Sequence, residues 1–325
     1  MDLPDLFTNF DAQTVDVGEA RLFCRIGGRD DAPPVVLVHG YPQTHVEWHR
    51  IAGALAEHFR IVLPDLRGYG WSSVPSDEPG HAAYSKRAMA QDIVRLMEKL
   101  GHARFAYVGH DRGARVGYRL ALDHPGRLSR LALLDIVPTA AMWSGMDAKL
   151  AMKVYHWLFL AQPAPFPETL ILSQHRAYQD HCLASWTKAR DLSAFDPGAL
   201  AHYNAFFGVP ERLHATCEDY RAGATIDRAL DEETLAAGHK IGCPTLVLWG
   251  SSGIPADGGT APDGSTARNG NAVPDGGTVE DGPLAAWRPF ADDLRGAPID
   301  SGHFLPEENP EATLAALVPF LKGEA

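Results

Sequence analysis

The sequence predicts an α/β protein, with a doubly wound, mostly parallel sheet and an inserted helical cap. Two observations predict the sheet: strand-length apolar runs alternate with helical patterns, and these runs are apolar throughout, as in strands buried on both faces. A third observation predicts the cap, because the alternation stops between residues 139 and 240. We therefore expect residues 1–138 and 241–325 to form the core, with the cap over the carboxyl edge of its sheet.

The first half of the core can be followed element by element. Residues 14–26 alternate like a hairpin with its turn at Gly18 and Glu19, and a helix is expected from about Glu47 to His58. A second helix precedes residue 101, where apolar residues recur at helical spacing. Buried parallel strands are expected within residues 35–38, 60–65, 104–110 and 128–136.

The second half of the core resumes after the cap. A strand is expected at residues 244–250 and a short final one at 297–300, and Asn309 is the expected N-cap of a last helix. Between these strands, residues 250–283 are rich in Gly, Pro, Asp and Thr and nearly lack large apolar residues. We expect this stretch to be a mobile surface loop.

The charge balance limits the partners of the protein. It carries 29 Lys and Arg against 41 Asp and Glu, a net charge of −12, so we expect it to bind neither nucleic acid nor an anionic membrane surface. An anionic substrate would need a local cationic pocket. The sequence has no apolar run of membrane-spanning length, no signal-like start and only four scattered cysteines, which predicts a cytoplasmic protein.

The stretch VGHDRGAR, residues 108–115, predicts a nucleophile elbow. It joins a strand to a helix, and Gly109 and Gly113 flank Asp111 at the spacing that lifts a side chain above the sheet edge. The sequence contains no Gly-x-Ser-x-Gly, so the carboxylate is the candidate nucleophile. A carboxylate that attacks a saturated carbon bearing a leaving group forms an ester, which water can then hydrolyse. The alternative is an aspartate that only caps the following helix.

The remaining catalytic groups are expected on other sheet-edge loops. His303, after the last strand, is the candidate base. Asp135 is the candidate acid that orients it, and Asp257 is the alternative for that role. Residues 39–42, HGYP, would place the backbone N–H of Tyr41 near the ester oxygen, together with that of Arg112. His45 and His49 do not form HExxH, and this chemistry needs no metal and no cofactor.

The motifs HGYPQTH, DLRGYGWSS, VGHDRG and SGHF, in this order, resemble the α/β-hydrolase superfamily and, within it, the haloacetate dehalogenases that include fluoroacetate dehalogenase. The resemblance implies that Asp111 is the nucleophile, and that Arg112 and Arg115 bind the carboxylate of a small haloacid. It also implies a homodimer. Its halide-binding positions correspond here to His156, Trp157 and Tyr220, and Trp186 would line the pocket.

Other interpretations of the same residues remain open. Epoxide hydrolases and haloalkane dehalogenases share the HGxP motif and the aspartate elbow, so an enzyme acting on neutral substrates is the main alternative. They typically carry tryptophan where this chain has Arg112. A ligand-binding protein without catalysis is a further alternative. Arg112 and Arg115 could also form surface ion pairs, and His156 and Trp157 could be ordinary core residues.

Overall fold

The computed structural model describes residues 3–253 and 282–324, and within them eight strands form one sheet. The strands are β1 (Phe10–Asp16), β2 (Arg21–Gly27), β3 (Pro34–Val38), β4 (Arg60–Pro64), β5 (Phe105–His110), β6 (Leu128–Leu134), β7 (Thr245–Gly250) and β8 (Leu294–Ile299). Their order is β1-β2-β4-β3-β5-β6-β7-β8. The first two pairs are antiparallel and the other five are parallel, which confirms the predicted fold class.

The apolar runs explain the central strands. Every residue of β5 and β7 is buried, as expected for strands covered on both faces. The last strand differs from the prediction, since β8 begins at Leu294 rather than at residue 297. It lies at the edge of the sheet and half of its residues are exposed, so its apolar signal is weak.

Helices cover this sheet and continue beyond it. In the described part of the chain they are α1 (His49–Ala56), α2 (Lys86–Lys99), α3 (Asp111–Asp123), α4 (Thr139–Ser144), α5 (Ala148–Lys153), α6 (Tyr155–Leu160), α7 (Phe166–Ser173), α8 (His175–Trp186), α9 (Pro197–Phe207), α10 (Pro210–Ala224), α11 (Ile226–Ala237), α12 (Leu284–Trp287), α13 (Leu305–Glu308) and α14 (Pro310–Lys322). Short 3₁₀ helices span His45–Trp48 and Pro79–Tyr84. None of the helices so described is long and apolar enough to cross a membrane.

Two helices can be compared with the predictions of where they begin. The Asn309 side chain accepts a hydrogen bond of 3.1 Å from the Ala312 N–H, which confirms it as the N-cap of α14. The helix expected from about Glu47 begins instead with the 3₁₀ turn at His45, and Thr44 caps that turn. The α-helical part starts only at His49 and ends at Ala56, because helix ends often tighten into 3₁₀ turns.

We call α4–α11, between Thr139 and Ala237, the helical layer. This stretch is described without a gap and holds no strand. It lies against the carboxyl edge of the sheet, since the ring of Tyr41, which follows β3, stacks 6.0 Å from that of His156 on α6. The division into core and cap domains stays a prediction. Most of the expected mobile loop, together with the alternative acid Asp257, lies outside the described residues.

Candidate active site

The nucleophile elbow forms at the junction of β5 and α3. Asp111 is the first residue of α3 and has a φ of +44°, a strained value for a residue with a side chain. A Cβ on Gly113 would lie 2.1 Å from the Val38 carbonyl oxygen, and one on Gly109 would lie 2.6 Å from the Ala114 nitrogen. Both glycines are therefore needed for the tight turn, as the motif predicts.

Asp111 lies between a backbone donor and a histidine. Its Oδ1 accepts a hydrogen bond of 3.0 Å from the Tyr41 N–H, and its Oδ2 lies 3.9 Å from Nε2 of His303. The same histidine contacts Asp135 through Nδ1, at 2.5 Å from Oδ2. Oδ1 of Asp135 accepts the Gly250 N–H at 2.9 Å. The carboxylate of Asp135 thus fixes the ring so that Nε2 faces Asp111, the orientation a general base requires.

The carboxyl of Asp111 is ionised at neutral pH. Burial, the largest influence, favours its neutral form, but nearby positive charges outweigh burial and lower the pKa of Asp111 below its usual value. The largest of these contributions is that of His303 in its protonated form, followed by those of Arg112, Arg115 and His110. An ionised carboxylate is the form that can act as a nucleophile.

Arg112 is held by an acid of the helical layer. Its Nε and Nη2 lie 3.0 and 2.5 Å from the carboxylate oxygens of Asp219, and Nη2 also donates to the Asp219 carbonyl at 2.7 Å. Its guanidinium carbon lies 4.3 Å from the centre of the Tyr220 ring. Lys86, almost completely buried, forms an ion pair with the same Asp219 carboxylate. Two of the three guanidinium nitrogens of Arg112, Nε and Nη2, are therefore already bonded to Asp219.

Arg115 is held mainly by neutral oxygens. Its Nη1 donates to the Val137 carbonyl and to Oγ1 of Thr139, both at 3.0 Å. Its guanidinium carbon lies 4.5 Å from the centre of the Trp157 ring. Arg115 and Trp157 line a small cavity that also reaches Asp111 and Asp135. Both predicted arginines thus lie beside the nucleophile, each stacked on an aromatic ring.

Aromatic side chains of the helical layer pack against Tyr41, close to Asp111. The ring of His156 lies 4.4 Å from that of Trp186 and 5.7 Å from that of Tyr220, whose ring is 5.2 Å from Tyr41. Burial lowers the pKa of His156 to about 3 and raises the pKa of Tyr220 well above its usual value. Both are neutral hydrogen-bond donors at neutral pH.

Five buried polar atoms around this pocket have no hydrogen-bond partner among residues 3–253 and 282–324: Arg112 Nη1, Arg115 Nε, His156 Nδ1, Tyr220 Oη and His303 Nε2. We call them the open atoms. A buried polar atom without a partner costs about 1–3 kcal/mol, so such a concentration indicates a site that a polar ligand completes.

The structure brings the predicted site residues together and adds some that the motifs did not indicate. Asp219 orients Arg112, and Glu47 and His110 lie behind the nucleophile. Two of these were adjacent in sequence to predicted residues, since His110 precedes Asp111 and Asp219 precedes Tyr220. These two residues could therefore have been predicted from the sequence, because each is a polar residue next to a candidate site residue on a buried element.

Comparisons with known proteins agree with this architecture. The family described as alpha/beta hydrolase fold matches residues 33–280. The fluoroacetate dehalogenase of a Burkholderia species is 40% identical over 316 residues, which cover 97% of this chain and 95% of that protein. A crystal structure described as a putative alpha/beta hydrolase, from Nostoc sp. PCC 7120, is 49% identical with a TM-score of 0.85, covering 96% of this chain and 98% of that one.

The comparisons also include proteins described as epoxide hydrolases. One such structure, from Pseudomonas aeruginosa, is 40% identical with a TM-score of 0.85, covering 99% of this chain and 98% of that one. Because the chain is similar both to a fluoroacetate dehalogenase and to proteins described as epoxide hydrolases, the comparisons do not identify its substrate. The family match, the sheet and the elbow at Asp111 agree with one another. The chain belongs to the α/β-hydrolase family.

Proposed function

We propose that this protein is a haloacetate dehalogenase, which converts a small 2-haloacid such as fluoroacetate or chloroacetate into glycolate and halide through an ester on Asp111. One observation carries the proposal: Arg112 and Arg115, on the turn after the nucleophile, each present a buried open atom. Arg112 is already paired with Asp219, but Arg115 is held by neutral oxygens, and the two open guanidinium nitrogens remain for an anion to bond. A haloacid supplies that anion, whereas an epoxide does not.

The substrate carboxylate binds between the two arginines. Because Asp219 occupies Nε and Nη2 of Arg112, the open Nη1 is the atom that remains for the substrate. Arg115 contributes its open Nε. One nitrogen from each arginine thus binds the carboxylate. The two positive charges also reduce the repulsion between the substrate and Asp111.

The first chemical step displaces halide. Oδ2 of Asp111 attacks the carbon that bears the halogen, a carbon–oxygen bond forms, and the halide leaves with the electron pair of the broken bond. The product is a carboxymethyl ester of Asp111. Open atoms of His156 and Tyr220 donate hydrogen bonds to the departing halide, with Trp157 beside them. These donors matter most for fluoride, which is otherwise poorly stabilised in a buried pocket.

The second step hydrolyses the ester. Nε2 of His303 takes a proton from water, whose oxygen attacks Cγ of Asp111, and Asp135 stabilises the resulting imidazolium. The negative charge that develops on Oδ1 is stabilised by the Tyr41 N–H already bonded to it. Collapse of this intermediate releases glycolate, which takes its proton from His303. One water oxygen stays in the Asp111 carboxylate.

An epoxide hydrolase is the second candidate. The open hydroxyl of Tyr220 could donate to the oxygen of an opening epoxide ring, and the relative from Pseudomonas aeruginosa carries that description. This hypothesis uses the same nucleophile and base but gives the arginine pair no role.

The deciding experiment measures free halide from fluoroacetate and chloroacetate, and diol from a small epoxide, with the purified protein and its Asp111→Asn variant. Halide release that the variant loses would support the proposal, and incorporation of oxygen-18 from labelled water into Asp111 would support the ester. Diol formation without halide release would establish the epoxide hydrolase instead. Stoichiometric haloacetate binding with neither product would indicate a binding protein without catalysis.

A further inference from the structure

We propose that Glu47 and His110 form a buried ion pair that positions the three catalytic segments and opposes protonation of His303. The inference rests on the proposed function, because it takes His303 as the base. Both side chains are almost completely buried, and Nδ1 of His110 lies 3.3 Å from Oε2 of Glu47. Neither contacts the reacting atoms, so they are positioning residues.

The hydrogen bonds determine where the protons are. Nε2 of His110 lies 2.8 Å from the His303 carbonyl oxygen, which can only accept, so Nε2 carries a proton. Oε2 of Glu47 accepts the Gly40 N–H at 3.1 Å. Nδ1 of His110 faces this same oxygen at 3.3 Å, and we assign the second proton to Nδ1, from which it is donated to Glu47. The pair consists of an imidazolium and a carboxylate.

The electrostatic surroundings support this assignment. Burial, the largest influence, lowers the pKa of His110, but the charge and hydrogen bond of Glu47 outweigh burial and raise it to about 9. Asp111 and Asp135 add smaller contributions in the same direction. Burial, followed by the charge of Glu47, raises the pKa of Glu307, another carboxyl of this buried region, well above its usual value.

The ion pair joins three parts of the active site. Glu47 bonds the N–H of Gly40, and the next N–H, that of Tyr41, bonds Asp111. His110 precedes Asp111 on β5 and bonds the backbone of His303. The loop with the oxyanion donor, the nucleophile elbow and the loop with the base are thus connected through a single pair of side chains.

The positive end of the pair lies next to the base. The ring of His110 is centred 4.6 Å from that of His303, so its charge repels a second proton there. The charged and titratable groups that face His303 are His110, Asp135, Asp111 and the neutral His156. Asp135 stabilises the imidazolium that forms on His303, and the charge of His110 opposes its formation.

The test compares Glu47→Gln with Glu307→Gln. The amide introduced by Glu47→Gln keeps an oxygen for the Gly40 N–H but lacks the negative charge, so His110 should become neutral near pH 7. Without the opposing charge, His303 should take a proton from solvent more readily, and the acid side of the pH–turnover profile should move upward by about one pH unit. Glu307→Gln changes a buried carboxyl that is bonded to Gln43 and Tyr203 rather than to His110, and it should leave the profile in place.

Nitrogen-15 NMR of the histidine rings measures the protonation directly and needs no turnover. Both nitrogens of His110 should be protonated at pH 7.5 in the wild-type protein and only one in Glu47→Gln. A neutral His110 in the wild-type protein would overturn the proposal, even if Glu47→Gln does not fold. An unchanged pH profile in a folded Glu47→Gln variant with neutral His110 would also overturn it. If the protein turns over no haloacetate, the proposed function is wrong. The NMR measurement still decides whether Glu47 and His110 form an ion pair.

Discussion

The carboxylates at the sheet edge and the polar groups around them differ in how completely their atoms are bonded. On the sheet side, Asp111, Asp135 and Nδ1 of His303 are fixed by hydrogen bonds from each other and from backbone N–H groups. Open atoms lie at His156 and Tyr220 on the helical layer, and also at Arg112, Arg115 and Nε2 of His303 on the sheet side. Groups that must keep their geometry during the reaction are held in advance, whereas groups that would contact a substrate or leaving group are left free.

This difference has an energetic basis. Preorganised donors stabilise a transition state because they need not reorient as charge develops. Open donors destabilise the empty protein by about 1–3 kcal/mol each and recover that free energy when a ligand accepts their hydrogen bonds. The sheet side should therefore determine whether the reaction completes, and the open atoms should determine which molecules react.

The largest effect is expected from His303→Gln, which removes the candidate base from the sheet side. Ester formation should continue, but hydrolysis should slow by about 10²- to 10⁴-fold because water loses its base. Intact-protein mass spectrometry after incubation with chloroacetate should show one added carboxymethyl group, on Asp111. The double variant Asp111→Asn with His303→Gln is the control and should stay unmodified. Halide release at the wild-type steady-state rate would remove His303 from this role.

An intermediate effect is expected from Arg115→Met, which removes one substrate-facing cation. Because its fixed partners, Val137 and Thr139, are neutral oxygens, no ion pair with them is lost, and the KM for haloacetate should rise about 10- to 100-fold. Arg119→Met is the matched control. Arg119 lies one turn further along α3, where it bonds Thr234 and the Leu230 carbonyl. An equal KM increase in both variants would indicate a structural effect alone.

The smallest effect is expected from Tyr220→Phe, on the helical layer. Loss of one open donor should slow fluoride release about 10-fold and affect bromide release less, since fluoride depends more on hydrogen bonds. The free energy of unfolding should stay equal or increase, because a buried hydroxyl without a bond is removed. Tyr155→Phe, on α6 next to His156, is the control. Equal slowing for both halides would mean that Tyr220 does not bind the leaving group.

The elbow and the capped final helix were predictable because their signals are local. Gly109, Asp111 and Gly113 lie within one short turn of the chain, and Asn309 bonds a backbone N–H three residues away. The short edge strand was less predictable, because partly exposed residues weaken the apolar pattern of β8. The halide-binding candidates His156, Trp157 and Tyr220 were identified by resemblance alone, since no local pattern connects these residues of the helical layer with Asp111.

The sequence by itself determined the alternation of strands and helices and the place of the elbow at Asp111, because both depend on short-range sterics and burial patterns. Only the tertiary structure decided how the charges are paired. Asp219 reaches Arg112 across 107 positions of the chain, and Glu47 reaches His110 across 63. Such pairs form where folding removes water and brings distant segments together, and any of several acids in the sequence could have met each cation.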